Sequence, residues 1–582
     1  MKGFDVLHLK SAVKDMNRFP ELSRTHETSM DIGQISIMFN EELVPKDELP
    51  VKGKFFARTA PLVKPTFGRI LFKTVSMFVP YHQIAEDAEA FIAGKTSWLS
   101  QTPVLRYITA YDIAVLFVTP SMGYVTSTGA SAANYDVVYN NYSNTLVYLL
   151  FTNKGRYFNK ILNQLGYFIP ERIDEVSTSY WQVTGKNKVF SAYPLLAFFK
   201  GYNDWMSQSQ RYNISQLSNA LLNIRQNKAF AGYTTNGHIN FNVLDLFFSN
   251  LLLNYDNDYF TSAWQNPNAP LNAAESILNP TIPSIQASLF QNPSGTYERI
   301  PVSGDTVLYQ RALDVLKSFD DWVRRNNYAG SRDVQQIYAR FGIKVDDYRT
   351  HYAHVVGTTE QYMNVGDVTA TAETSQAILG DYAGKAIVDC DVDVSYKSSD
   401  YGLFMILGYI TVKPQMSFGF DRKVLRTEPL DWYNPEFDGV GGDPITYREV
   451  FESCKIDPLS DVSKGEDVYG FTERYNSYRY GRDQITGDFK VFKDMDVWHC
   501  GRDLSALRSS GTMIAQSSSM NTLAQTDSEY NRIFSVQSGD VDHFYFVCQF
   551  EVNALRPMLS LSQVPQLGTG DTVVPRNGNV IN

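Results

Sequence analysis

Between Asp467 and Phe489 the chain reads DVYGFTERYNSYRYGRDQITGDF, and DVWH follows at Asp496–His499. Arg474, Arg479 and Arg482 are interleaved there with Tyr475, Tyr478 and Tyr480. Planar cations among flat, amphipathic rings suit two tasks. They can anchor a protein interface, or they can stack on unpaired bases while the guanidinium groups bond phosphate. The segment alone leaves both tasks open, and the acidic balance of the whole chain favours the interface. Neither task is catalysis.

The remaining chemical motifs are incomplete. GDYAGKA at 380–386 is one residue short of a phosphate loop and has Ala386 where Ser or Thr would hold magnesium. Asp389, Asp391 and Asp393 alternate as at the start of a calcium loop. Yet Val394 stands where the sharp turn needs Gly and Asp400 replaces the bidentate Glu, so a solvated strand face is the simpler reading. His351 and His354 lack the Glu of a zinc-protease helix, and His499 beside Cys500 has no second ligand pair. There is no G-x-S-x-G. No catalytic residues, resident metal or cofactor are expected.

Composition narrows the class. With 62 acids against 52 bases the net charge is −10, which argues against a protein that neutralises nucleic acid by itself. Aromatic content of 14% implies extensive contact area within the chain or between copies of it. Cys390, Cys454, Cys500 and Cys548 are scattered and read as small buried hydrophobes in a reducing compartment. The N-terminal MKGFDVLHLKSAVKD has no secretion pattern, and the apolar runs near 146–151 and 402–412 fall short of a membrane span. A soluble, cytoplasmically made protein without membrane insertion is expected.

The elements that must position these residues are strands at both ends and helices between. Residues 32–39 should place Ile35, Ile37 and Phe39 on one face; 51–60 and 69–79 should also be extended. Residues 403–412 are almost continuously apolar, and 543–554 put Phe544, Phe546, Cys548, Phe550 and Val552 on one face. Helical periodicity covers 306–325, 214–230 and 241–254, and a further helix from Ser331 should close at Gly342. Residues 264–304 are rich in Asn, Pro and Ser and read as a long loop. The pattern predicts one mainly β sandwich carrying large inter-strand insertions.

Eight strings, in order along the chain, resemble the major capsid proteins of the Microviridae, most closely the gokushovirus-like branches. They are LSRTHETSMDIGQ (22–34), KFFARTAPLVKP (54–65), FKTVSMFVPYH (72–82), YPLLAFFKGYNDWM (193–206) and DYFTSAW (258–264). SRDVQQIYARFGI (331–343), SSDYGLFMILGYITVKPQ (398–415) with the Tyr/Arg and DVWH block, and FEVNALRPM (550–558) complete the series. Residues 207–256 and 264–304 match nothing in the family pattern, and the Arg that usually follows Pro-Phe is missing from 193–206.

The resemblance implies an eight-stranded antiparallel jelly roll. Its discontinuous core would be 25–85, 385–416 and 541–560, with insertions at 86–384 and 417–540. It implies 60 copies in a T=1 shell around circular single-stranded DNA, and a small basic protein that supplies countercharge. Scaffolding proteins, a host surface receptor, assembly in the host cytoplasm and residence in the virion follow from the same likeness. The outer projection is expected at 264–304, with 207–256 as the second choice. An all-β carbohydrate-binding protein or glycosidase is the alternative, and it should behave as a monomer that binds sugar.

Overall fold

Phe544–Val552 alternates strictly between buried and exposed residues, as a strand does when one face meets a core and the other meets solvent. Ile70–Pro80 and Gly402–Val412 are buried on nearly every residue instead, which requires cover on both faces. Those two patterns define the layers. The computed structural model describes residues 16–94, 102–109, 112–113, 146–148, 153–167, 180–182, 189–207, 216–230, 233–251, 253, 255–256, 258–260, 342, 352–369, 382–413, 415, 419–438, 442–450, 468–502, 530–536 and 542–558. The expected helices at 306–325 and 331–341 and the loop at 264–304 lie outside the described residues. Gly342 is described, with the left-handed φ of 67° that a helix-ending glycine adopts.

In chain order, β1 is Arg24–Met30, β2 Ile35–Leu43, β3 Glu48–Thr59 and β4 Ile70–Pro80. After a long excursion come β5 (His354–Tyr362), β6 (Asn364–Thr369), β7 (Tyr382–Lys397) and β8 (Gly402–Val412). β9 (Gly442–Thr446) and β10 (Val468–Glu473) pair only with each other, and β11 is Phe544–Val552. The excursion between β4 and β5 contains helices α1 (Ala88–Ile92), α2 (Asn153–Gln164), α3 (Tyr193–Trp205), α4 (Gln216–Arg225) and α5 (Phe241–Ser249). Asn240 caps α5, its side chain accepting from the amides of Asn242 and Val243.

The architecture is mainly β, with every pairing antiparallel in two principal sheets. One runs β1-β11-β3-β7-β6, so the last long strand lies between the first and the third. The other runs β5-β4-β8-β2. Phe39, Phe55, Phe72, Phe78, Phe404, Phe546 and Phe550 fill the space between the sheets. Phe550 lies 5.0 Å from Phe39 and 5.5 Å from Phe55, centroid to centroid. On the second sheet's far face, Met77, Val79, Met405 and Leu407 pack in one cluster with Phe158 of α2, Phe198 and Phe199 of α3, and Phe247 and Phe248 of α5. This helical layer is why 402–412 carries no polar alternation. Cys390 and Cys548 are buried between the sheets, and burial pushes the Cys548 thiol up to about 12.

Two sequence expectations are corrected here. Ile35, Ile37 and Phe39 do not share a face. The register of β2 on β8 shifts between Ile406 and Leu407, opposite Phe39 and Ile37, and that bulge reverses the side-chain parity. Ile35 and Ile37 therefore join the helical cluster, whereas Met38 and Phe39 join the intersheet core. The second correction concerns β5 and β6, which fall inside the 86–384 stretch assigned to insertion. Most of their side chains are partly or fully exposed, so HVVGTTEQY and NVGDVT carry little apolar signal, yet β5 pairs with β4 along eight residues of each strand.

On β1, His26 Nδ1 donates to the Met38 carbonyl at 2.8 Å, and burial holds its pKa below the ordinary 6.5. The unfolded chain therefore takes up this proton at higher pH than the folded one, so the contribution is intact above 6.5 and declines as pH falls below it. Thermal melts of the unassembled chain between pH 7 and pH 5 should show Tm falling, with a shallower slope for His26→Gln. An unchanged slope would exclude His26 as the source.

Candidate assembly surface

The hairpin of β9 and β10 ends where Tyr475 adopts φ 60°, a left-handed conformation that is costly for an aromatic residue. The Tyr475 amide donates to Asp443 Oδ2 at 2.8 Å and fixes that turn. The chain is thereby redirected into the short turn Asn476–Tyr478, with Tyr475 buried at 2% exposure and Tyr478 outside at 47%. Tyr433 sits against both rings, at 5.2 Å from Tyr475 and 6.0 Å from Tyr478.

Around Tyr478 the surface is aromatic and cationic. Trp432, Tyr433 and Phe437 are 55%, 48% and 40% exposed, a concentration of large apolar side chains that surfaces seldom leave bare without a use. The Arg426 guanidinium lies 3.9 Å over the Tyr478 ring and donates to Ser477 Oγ at 3.2 Å. Arg474 lies 5.1 Å over Phe437. Arg479 is bonded to Asp438 at 2.7 Å and stands 3.7 Å from Glu473. Trp432, Tyr433 and Phe437 were missed from sequence, although LDWYNPEF at 430–437 has the same aromatic and polar mixture.

The other two predicted residues turn inward. Tyr480 stacks on Tyr259 at 5.0 Å and 17°, and Arg482 donates to the Phe420 carbonyl at 2.5 Å while lying 5.7 Å from the Phe260 ring. Burial raises the Tyr480 phenol well above its usual range and lowers the Arg482 guanidinium. Tyr259 in turn donates to Glu449, which accepts from Arg422 at 2.8 Å. Tyr259 and Phe260 thus pack against Tyr480 and Arg482, more than 200 residues further along the chain. Of the six candidate residues, only Tyr478 and Arg479 are exposed; the other four are buried or partly buried.

The Capsid protein (F protein) family profile matches residues 309–567. Capsid protein VP1 of Chlamydia phage 1 is 22% identical over 593 aligned positions, spanning 92% of this chain and 93% of that protein. Capsid protein VP1 of Bdellovibrio phage phiMH2K is 22% identical over 178 positions, 29% of this chain and 32% of that one. These matches support a major capsid protein of the Microviridae type.

In this capsid chain the DVWH block is a fastening. Phe67 donates its amide to the Trp498 carbonyl at 2.8 Å and stacks on the Trp498 ring at 5.6 Å. Arg532 donates to the carbonyls of Asp496, His499 and Gly501. His499 Nδ1 accepts from the Gly501 amide, so Nε2 carries the proton donated to the Phe489 carbonyl at 3.0 Å. Both ring nitrogens are thus occupied by backbone, and Cys500 is buried, its thiol pushed up to about 11. A Cβ on Gly68 would fall 2.0 Å from the Cys500 sulfur, which makes glycine necessary there.

The capsid chain also lacks the calcium geometry considered for Asp389, Asp391 and Asp393. All three are exposed on β7, paired in register with Phe56, Lys54 and Lys52 of β3. An extended strand spaces alternate carboxylates too widely to wrap one ion, and the neighbouring lysines offset their charge. Residues 382–386 of GDYAGKA are strand as well. His354 Nδ1 contacts the Tyr396 hydroxyl at 2.7 Å, and His351 lies outside the described residues. Asp204 and Trp205, not singled out from sequence, fasten the capsid chain's α3 to the start of β5. Asp204 accepts from the Ala353 amide at 2.9 Å, and Trp205 Nε1 donates to the Ala353 carbonyl at 2.7 Å. Among the described residues, no helix is long and apolar enough to cross a membrane.

Proposed function

We propose that 60 copies of this capsid protein close into a T=1 shell around circular single-stranded DNA, with the Tyr478 surface as a contact between neighbouring copies. The observation that carries the contact is the exposed group Trp432, Tyr433, Phe437 and Tyr478, gathered around Arg426 and Arg474 next to the β9–β10 hairpin. Aromatic and arginine anchors of this kind dominate protein interfaces. The pairing of Arg479 with Asp438 and Glu473 favours a protein partner over nucleic acid, because little net positive charge is left there to hold phosphate. The protein acts by association rather than catalysis, and closed symmetry makes individually modest contacts collectively stable.

An eight-stranded jelly roll is the reading of the core supported by the sheet orders β1-β11-β3-β7 and β2-β8-β4-β5. On this reading the core is 25–85, 385–416 and 541–560, widened by β5 and β6, with the intervening stretches as insertions. The 264–304 stretch, or 207–256 in its place, would form the projection that meets a host receptor. A net charge of −10 calls for a small basic companion protein with the DNA. Assembly proceeds in the host cytoplasm with scaffolding proteins of the same phage, and the product resides in the virion. The test is the native mass after co-expression with the phage's other proteins. At 65.9 kDa per chain, 60 copies should give about 4 MDa before DNA is added. A stable monomer under those conditions would overturn the reading.

A further inference from the structure

Where β4 ends, donors from three separate segments converge. His82 lies in the turn Tyr81–Gln83, Glu89 in α1 and Asp400 in the turn between β7 and β8. One donor atom from each lies within 4.8 Å of the other two. His82 Nδ1 is 3.8 Å from Asp400 Oδ2, too far for a hydrogen bond.

The backbone beneath these side chains is tied together. The Tyr81 amide donates to the Tyr401 carbonyl at 2.9 Å, and Ser398 Oγ donates to the Asp400 carbonyl at 2.6 Å. The amides of Ala85 and Ala88 donate to the carbonyls of Tyr81 and Ala85, which seats α1 against the same turn. Glu89 is exposed, and the Asp400 side chain is 40% exposed, so both carboxylates have room to rotate. Two carboxylates this close repel one another, and one imidazole cannot compensate both.

We propose that His82, Glu89 and Asp400 bind one zinc ion, with water as the fourth ligand. Bonds of about 2.0–2.2 Å place tetrahedral donors roughly 3.4 Å apart, so side-chain rotations of about an ångström close the triangle. Zinc suits one imidazole with two carboxylates, whereas calcium needs six to eight oxygens, more than these side chains offer. The ion would tie the end of β4, the first helix of the excursion and the β7–β8 turn into one corner. The site is independent of the shell contact proposed above.

The test is zinc content and thermal stability of the full-length protein, measured both as unassembled chain and as particles. After chelator treatment and dialysis, added zinc should be retained at one equivalent per chain and should raise Tm. Glu89→Gln and Asp400→Asn should each weaken zinc binding at least ~10-fold while leaving the metal-free Tm unchanged. Glu89 is exposed, so its variant will fold. No retained zinc, equal retention by both variants, or calcium displacing zinc at equal concentration would each overturn the site.

Discussion

Arg106→Ala is expected to unfold the helical layer and leave little soluble protein. The Arg106 side chain is 1% exposed and bonds Asp87 at 2.8 Å. It also donates to the carbonyls of Val104, Ile224 and Arg225. Truncation takes the cationic partner from the Asp87 carboxylate and leaves three carbonyls around the buried position without their donor, a loss of about 3–5 kcal/mol. That is a large share of the ~5–15 kcal/mol typical of a folded domain. Urea denaturation of the unassembled chain should show the midpoint fall, and an unshifted midpoint would mean that solvent reaches this guanidinium.

Trp432→Ala combined with Tyr478→Ala should leave the subunit folded and prevent particles from forming. Both side chains are exposed and their contacts are with Arg426, Tyr433 and Tyr475 at the same surface, so their loss leaves the intersheet core intact. At a shell contact, each anchor contributes about 2 kcal/mol or more, roughly 30-fold in every pairwise association constant. Repeated around a closed shell, that deficit abolishes assembly. Arg479→Ala should do less, because its ion pair with Asp438 is solvent-exposed and such pairs contribute about 0–1 kcal/mol. Sedimentation would count particles while circular dichroism followed the subunit's melt. Normal particle yield from the double variant would remove this surface from the assembly.

The strands with the strongest apolar pattern were legible, because burial writes itself into apolar periodicity; β1, whose Met30 joins the intersheet core, was not among them. β4, β8 and β11 could be read from their own residues. β5 could not, since its outward side chains are polar and its place depends on β4, which lies more than 270 residues earlier. The bulge in β2 was hidden for a similar reason, as its cause lies in the register against β8. At the surface, the Tyr/Arg segment was recognisable by type. Which residues face out was not, because Tyr480 is turned inward by Tyr259 and Tyr475 by Asp443, partners that periodicity cannot reveal.

The position of β11 between β1 and β3 sets a clock on biosynthesis. Until β11 is made, β1 has no partner in the first sheet and β3 keeps one bare edge, and such edges invite promiscuous pairing. From the end of β3 to the end of β11 the ribosome must add about 490 residues, roughly 25–100 s at common elongation rates. Only a chain extended through Val552 can join them. Truncated products of stalled translation would therefore lack a complete slab, and quality control over incoming subunits would be written into strand order itself.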